Sequence, residues 1–340
     1  MENFNADSVG VDNGRYFGLP YNIDESSLIL ISMPWDVTAS YKGGTSRGPK
    51  SIMKASLQID LHDENVPFAW RKKISTFSGD ESIYRRNDIA RKKALRVINA
   101  LERDAEPDEN DIKDVNEACR LMNDRVYEEA KTFIKKDKFV GLVGGDHSVS
   151  LGLIKALSEQ CEEFGVLHFD AHADLRESYE GFTYSHASIM YNVLKDIPQV
   201  KRLVQVGVRD FCNAEEEIIK KDNRVETFTN AHLRKKLFNG QTWNNICDQI
   251  IDRLPENIYI SLDIDGLSQD YCPNTGTPVP GGISFDEIDY FLIKLANSRK
   301  NIIGFDLVEV APSDFGEWDA NVGARLLYKL SLYSILNNEK

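Results

Sequence analysis

The sequence predicts an α/β fold, a three-layer α/β/α sandwich on a mainly parallel sheet. Three observations carry the prediction. Short apolar runs of strand character recur at 27–33, 139–143, 164–169, 203–208, 258–262 and 302–308. Segments of helical length and periodicity separate them, which is the pattern of βαβ units. The runs are apolar on consecutive residues, as strands covered on both faces must be. The hydrophobic fraction of 41% supplies a core for 340 residues read as a single domain, 1–340.

Residues 1–26 are polar and read as an irregular lead-in, packed on the surface or on a neighbouring subunit. The first strand, Ser27–Met33, stops at Pro34. A glycine-rich loop follows, and Pro49 at a first helical turn starts a helix running to about Gln58. From 85 to 138 the chain is strongly charged. Within it Ile112, Val115, Cys119, Met122, Val126, Ala130 and Phe133 recur three or four residues apart, as on an amphipathic helix. The polar stretch 104–111 before that helix reads as a surface excursion. Further helices are expected over 148–160, 189–194, 215–221, 285–295 and 321–336, between the strands already named.

Charge and cysteine usage exclude several classes. Forty-one basic against 54 acidic residues leave a net charge of −13, which argues against a nucleic-acid or anionic-membrane surface. Cys119, Cys161, Cys212, Cys247 and Cys272 form no C-x-x-C pair and read as reduced thiols of a cytoplasmic protein. Neither a secretory signal nor an apolar run long enough to cross a bilayer is visible.

The chemistry gathers at strand ends. The run Val166–Phe169 breaks into Asp170-Ala-His-Ala-Asp174, metal-ligand types set two apart. Alternate side chains of an extended backbone share a face, so Asp170, His172 and Asp174 converge just past the strand. Two more runs end the same way, one in Gly144-Gly-Asp-His147 and one in Asp263-Ile-Asp265-Gly266. Sites of parallel α/β sheets sit at those carboxyl ends. Four carboxylates and two imidazoles exceed the needs of one ion, so two divalent ions are expected. Oxygen and imidazole donors without thiolate favour Mn, with Ni among the alternatives.

Gly144-Gly-Asp-His147, Asp170-Ala-His-Ala-Asp174, Ser261-Leu-Asp-Ile-Asp-Gly266 with Gly276-Thr-Pro-Val-Pro-Gly-Gly282, and Glu309-Val-Ala-Pro312 together resemble the ureohydrolase family of arginases and agmatinases, over about residues 28–335. The resemblance implies one ion on His147, Asp170, Asp174 and Asp263 and a second on His172, Asp170, Asp263 and Asp265. It also implies Glu309 as the guanidinium-binding carboxylate, His186 as the proton shuttle, and a homo-oligomer, trimer or hexamer. A guanidinium carbon is a poor electrophile, and a divalent ion that lowers the pKa of water from about 15.7 to about 7 supplies the nucleophile it needs. Asp174 is placed to orient that water.

The segment 175–187 resembles the agmatinase branch, and Glu177 and Glu180 suit an amine-ended substrate, although Arg176 could invite a carboxylate. The expected reaction is agmatine to putrescine and urea. Guanidine is the main rival, because Trp35, in the loop bearing Gly43-Gly44, and Trp318 could stack on one small cation at the site mouth. Arginine, a guanidino acid or formiminoglutamate are further alternatives. A catalytically inactive metal-binding scaffold is the reading from another class. Ser268-Gln-Asp270 departs from the Asp-Pro-Ala usual in the family. His62, His168 and His232 are expected to be structural or exposed.

Overall fold

The computed structural model describes residues 4–313 and 316–339; the first three residues of the expected lead-in lie outside them. Its strands are β1 (Leu28–Met33), β2 (Ile74–Phe77), β3 (Phe139–Gly144), β4 (Phe164–Phe169), β5 (Val200–Val206), β6 (Val225–Phe228), β7 (Asn257–Asp263) and β8 (Asn301–Val308). They form one eight-stranded sheet in the order β2-β1-β3-β8-β7-β4-β5-β6. Every neighbouring pair is parallel.

Consecutive strand residues feed opposite faces. Leu28 and Leu30 of β1 enter one apolar cluster, and Ile29, Ile31 and Met33 enter another. In β4, Leu167 and Phe169 join the first while Phe164 and Val166 join the second. Burial on both faces is why these runs carry no polar alternation. The helices are α1 (Gly48–Ser56), α2 (Ser82–Leu101), α3 (Glu109–Ile134), α4 (Ser150–Ser158), α5 (Ile189–Asp196), α6 (Asn213–Lys221), α7 (Asn230–Phe238), α8 (Trp243–Ile251), α9 (Phe285–Ala296) and α10 (Trp318–Asn338). Helices α1 and α7 to α10 cover the first face; α2 to α5 cover the second.

Three expectations need correcting. The lead-in is irregular but not peripheral, since Tyr16, Phe17, Leu19 and Tyr21 are buried in the first cluster. The Tyr16 hydroxyl lies 2.8 Å from Ser32 Oγ of β1. The charged stretch 85–138 holds two long helices, α2 and α3, whose apolar stripes close the second face. Finally, β5 begins at Val200, where Lys201 and Arg202 mask it, and ends at Val206 because Gly207 turns at φ +100°.

Candidate metal centre

Four adjacent strands, β3, β8, β7 and β4, point the same way and end beside one another. After β3 the chain turns through Gly144-Gly145, and a Cβ on Gly145 would lie 2.0 Å from the Trp35 carbonyl oxygen. Only glycine fits there. The turn delivers His147. Asp170 follows β4, Asp263 closes β7, and Glu309 follows β8.

These tips meet. His147 Nδ1 lies 3.2 Å from Asp170 Oδ2, 3.2 Å from Asp174 Oδ2 and 3.5 Å from Asp263 Oδ2. His172 Nδ1 lies 3.3 Å from Asp170 Oδ1 and 3.1 Å from Asp265 Oδ2. Asp170 thus turns one oxygen to each group, and all six sequence-predicted ligands are brought together. Asp263 Oδ1 accepts the Asp265 amide at 2.8 Å, while its Oδ2 faces His147.

The outer hydrogen bonds orient these donors. The Ser261 hydroxyl gives its proton to Asp306, 3.0 Å away, and therefore accepts from His147 Nε2 at 2.8 Å. With Nε2 so committed, Nδ1 of His147 is the atom that faces the carboxylates, and its lone pair would be free for a cation bound among them. Tyr259 and the Leu262 amide also donate to Asp306, at 2.6 and 3.1 Å. His168, expected to be structural or exposed, is buried with Nε2 2.8 Å from Asp170 Oδ2, close enough to count as a fourth member beside His147, Asp170 and Asp174. Its other nitrogen accepts from the Gln205 amide at 3.0 Å, and the same NH2 donates to the Ala173 carbonyl at 2.7 Å. Nε2 then carries the proton, so His168 donates to Asp170 in this arrangement.

The donor set fits divalent cations. Among the described residues no Lys or Arg side chain pairs with Asp170, Asp174, Asp263 or Asp265, although all four are buried. Burial, reinforced by Asp265 and Asp170, pushes the Asp263 carboxyl well above its usual range. Burial and Asp170 raise Asp174 to about 6. Burial opposes charge on His147, but the surrounding aspartates overcome it and hold the ring well above its ordinary value. Excess buried negative charge of this kind is what a cation satisfies.

A cavity of about 170 Å³ opens above this floor, lined by His172, Asp174, His186, Tyr179, Ser40 and Thr277, with Asp210, Glu215 and Arg176 toward its edge. Burial, with His172 and His147 nearby, drives the His186 ring down to about 3, so it is neutral at physiological pH. Glu309 is buried outside that lining, where its Oε1 accepts the His147 amide at 2.9 Å, and burial followed by Asp146 raises its carboxyl well above the usual range.

Trp35, Trp318, Glu177 and Glu180, like Glu309, are expected from the sequence to contact substrate but do not line the cavity. Trp35 continues the alternation of Ile29, Ile31 and Met33 into the second core cluster and is 1% exposed. Trp318 starts α10 with its indole N–H donated to the Asp270 carbonyl at 2.8 Å, facing solvent. Glu177 is exposed and outside the lining.

A parallel sheet with acidic and imidazole donors converging at adjacent strand tips defines an α/β/α protein with a candidate metal centre. A family model for the Arginase family matches residues 26–332, and the chain belongs to that family, the ureohydrolases. The family implies a binuclear divalent metal centre, in accord with the donor set. The chain is 30% identical over 311 residues to N(1)-aminopropylagmatine ureohydrolase of Thermus thermophilus, covering 91% of this chain and 90% of that one. It is 28% identical over 291 residues to the agmatinase of Bacillus cereus, covering 86% of each. Its fold matches agmatine ureohydrolase of Thermoplasma volcanium with a TM-score of 0.72 at 20% identity, covering 94% of each chain. The arginase of Medicago truncatula gives 0.65 at 25% identity, covering 91% of this chain and 88% of that one. No helix among the described residues is long and apolar enough to cross a membrane.

Proposed function

We propose that the protein hydrolyses agmatine to putrescine and urea, with His147, Asp170, Asp174 and Asp263 holding one Mn ion and His172, Asp170, Asp263 and Asp265 the other. Nickel is the alternative metal. The observation that carries the reading is a buried Asp/His cluster, paired with no Lys or Arg side chain among the described residues, beside a cavity that His172 and Asp174 line. Bound there, the metals lower the pKa of water and supply the nucleophile. Asp174 orients that water from the cavity floor. Glu309, whose anionic form burial and Asp146 disfavour until a cation is near, would pair with the guanidinium. His186, which lines the cavity beside Asp174, would pass a proton between the attacking water and the departing amine.

An amine tail is favoured because the exposed Asp210 lines the cavity, while Arg176 is already engaged. Its guanidinium stacks 4.7 Å over Tyr179, and its Nε lies 3.9 Å from Glu215. The relatives named agmatinase and N(1)-aminopropylagmatine ureohydrolase support the same tail chemistry. Guanidine loses its main support with Trp35 in the core and Trp318 facing outward. An inactive scaffold is disfavoured by a complete ligand set. Urea release should be assayed with agmatine, N1-aminopropylagmatine, guanidine, arginine, guanidinobutyrate and formiminoglutamate in Mn- and Ni-loaded protein. Agmatine should turn over fastest, and no turnover of agmatine with either metal ends the proposal.

A further inference from the structure

Thr38 carries no charge, lies outside the acidic motifs and does not line the cavity, yet its hydroxyl joins two parts of the site. It is fully buried. Oγ1 lies 3.0 Å from Asp146 Oδ2, and the Thr38 amide donates to the same oxygen at 3.2 Å. From the other side the His186 amide donates to Thr38 Oγ1 at 3.0 Å. The directions follow from valence. A carboxylate only accepts and an amide only donates, so the single hydroxyl proton goes to Asp146 and a lone pair receives His186.

Both ends of this bridge matter. Asp146 precedes His147, and its other oxygen accepts the Ser148 amide at 3.1 Å, fixing the turn that presents His147. The segment carrying Thr38 is anchored independently. The Asp36 amide donates to Asn87 Oδ1 at 2.8 Å, and Asn87 Nδ2 returns a bond to Asp36 Oδ1 at 3.0 Å. Asn87 is buried on α2. The hydroxyl therefore refers the backbone of His186 both to the metal-binding turn and to a rigid helix.

We propose that Thr38 is a positioning residue for the hydrolytic reaction, whose hydroxyl sets the backbone of His186 in the cavity that His172 and Asp174 also line. This rests on the reading of His186 as the proton-transfer residue. Valine has nearly the shape of threonine but neither donates nor accepts. It would leave a buried carboxylate short of one donor and the His186 amide without its acceptor. Displacements of about 1 Å at a reacting centre cost on the order of a hundredfold in rate.

The test uses full-length Mn-loaded protein and the variants Thr38→Val, Thr38→Ser, His186→Ala and Thr38→Val/His186→Ala. Thr38→Val should lower kcat for agmatine by about 10- to 100-fold with KM changed by less than about threefold and metal content unchanged. Thr38→Ser should restore most of the rate. The double variant should be no slower than His186→Ala alone, because both substitutions disable one device. Hydrogen exchange of the His186 amide should be protected in the parent and in Thr38→Ser and fast in Thr38→Val. That readout needs no turnover and serves if the substrate reading fails. Full activity in His186→Ala would overturn the role of His186. Additive losses, a Thr38→Ser as slow as Thr38→Val, or a protected His186 amide in Thr38→Val would overturn the role of Thr38. Should Thr38→Val not fold, Thr38→Ala with the same exchange measurement decides.

Discussion

Replacing His168 by Ala should weaken metal binding without removing a ligand. His168 Nε2 donates to Asp170 Oδ2 at 2.8 Å, and Asp170 faces both donor groups of the centre. A hydrogen bond to a buried charged group contributes about 1.5–3 kcal/mol. At about 1.4 kcal/mol per tenfold, this is roughly 10- to 150-fold in affinity, in line with the roughly 10- to 100-fold found for outer partners of metal ligands. Titration calorimetry of metal-free protein with Mn should return two sites in parent and variant, with the variant's dissociation constants raised by that factor. At saturating Mn the rate should recover to within about tenfold of the parent. Loss of one site would mean that His168 ligates directly and that the Gln205 hydrogen bond does not fix its tautomer. Unchanged affinity would mean that the bond to Asp170 does not matter.

Asp263→Ala should abolish urea release and cost at least one Mn equivalent by elemental analysis; retained turnover would refute the shared-ligand reading. Metal removal by a chelator should lower the melting temperature, because ions at about a hundred times their dissociation constant stabilise the fold by about 2.7 kcal/mol; calorimetry with and without chelator checks this, and the difference should shrink in Asp263→Ala. Gly145→Ala would force a Cβ to 2.0 Å from the Trp35 carbonyl oxygen and should destabilise by about 3 kcal/mol or more in denaturant titration. Glu180 has one buried carboxylate oxygen without a hydrogen-bond partner, and burial, partly offset by Arg91, raises its pKa to about 7. Because the folded-state value is raised, stability falls as pH rises from the ordinary carboxyl range to about 7 and is flat above. Glu180→Gln should therefore gain about 1–2 kcal/mol on the parent between pH 5 and 8, allowing for partial solvent screening, and an equal pH slope in both proteins would refute this.

The inner strands are legible because burial on both faces leaves them apolar, and the converging acids and imidazoles because Asp and His are unusual at the tips of such runs. What stayed hidden has physical causes. β2 and β6 are four-residue strands at the two edges of the sheet, where one side needs no partner and polar residues are tolerated. His168 was within reach, since the alternation that groups Asp170, His172 and Asp174 extends back one step to it. Trp35 reads as loop because Pro34 precedes it, yet its side chain keeps the phase of β1. The path of Glu177 depends on a tight turn in which Tyr179 and Phe182 exchange amide bonds at 3.2 and 2.8 Å while Glu180 and Gly181 take φ +56° and +82°. A glutamate there is disfavoured, so composition gave no warning of it.

Two carboxylates of the site share that unfavourable conformation. Asp174 has φ +53° and Glu309 φ +62°, in a region that costs non-glycine residues about 1–3 kcal/mol. Each is held there by bonds that leave the backbone little choice. The Asp174 carbonyl accepts the Met190 and Tyr191 amides at 3.0 and 3.2 Å. Glu309 donates its amide to the Gly145 carbonyl at 2.7 Å, and its own carbonyl accepts the Thr275 hydroxyl at 2.8 Å. Glycine would relax the backbone at both positions but would remove a carboxylate from a cluster that already holds too much buried negative charge. A chain shaped for stability alone would make that exchange. Keeping the acids at strained positions makes sense only if cations occupy the space between the strand tips during function, because their binding then offsets the strain and the like-charge repulsion together.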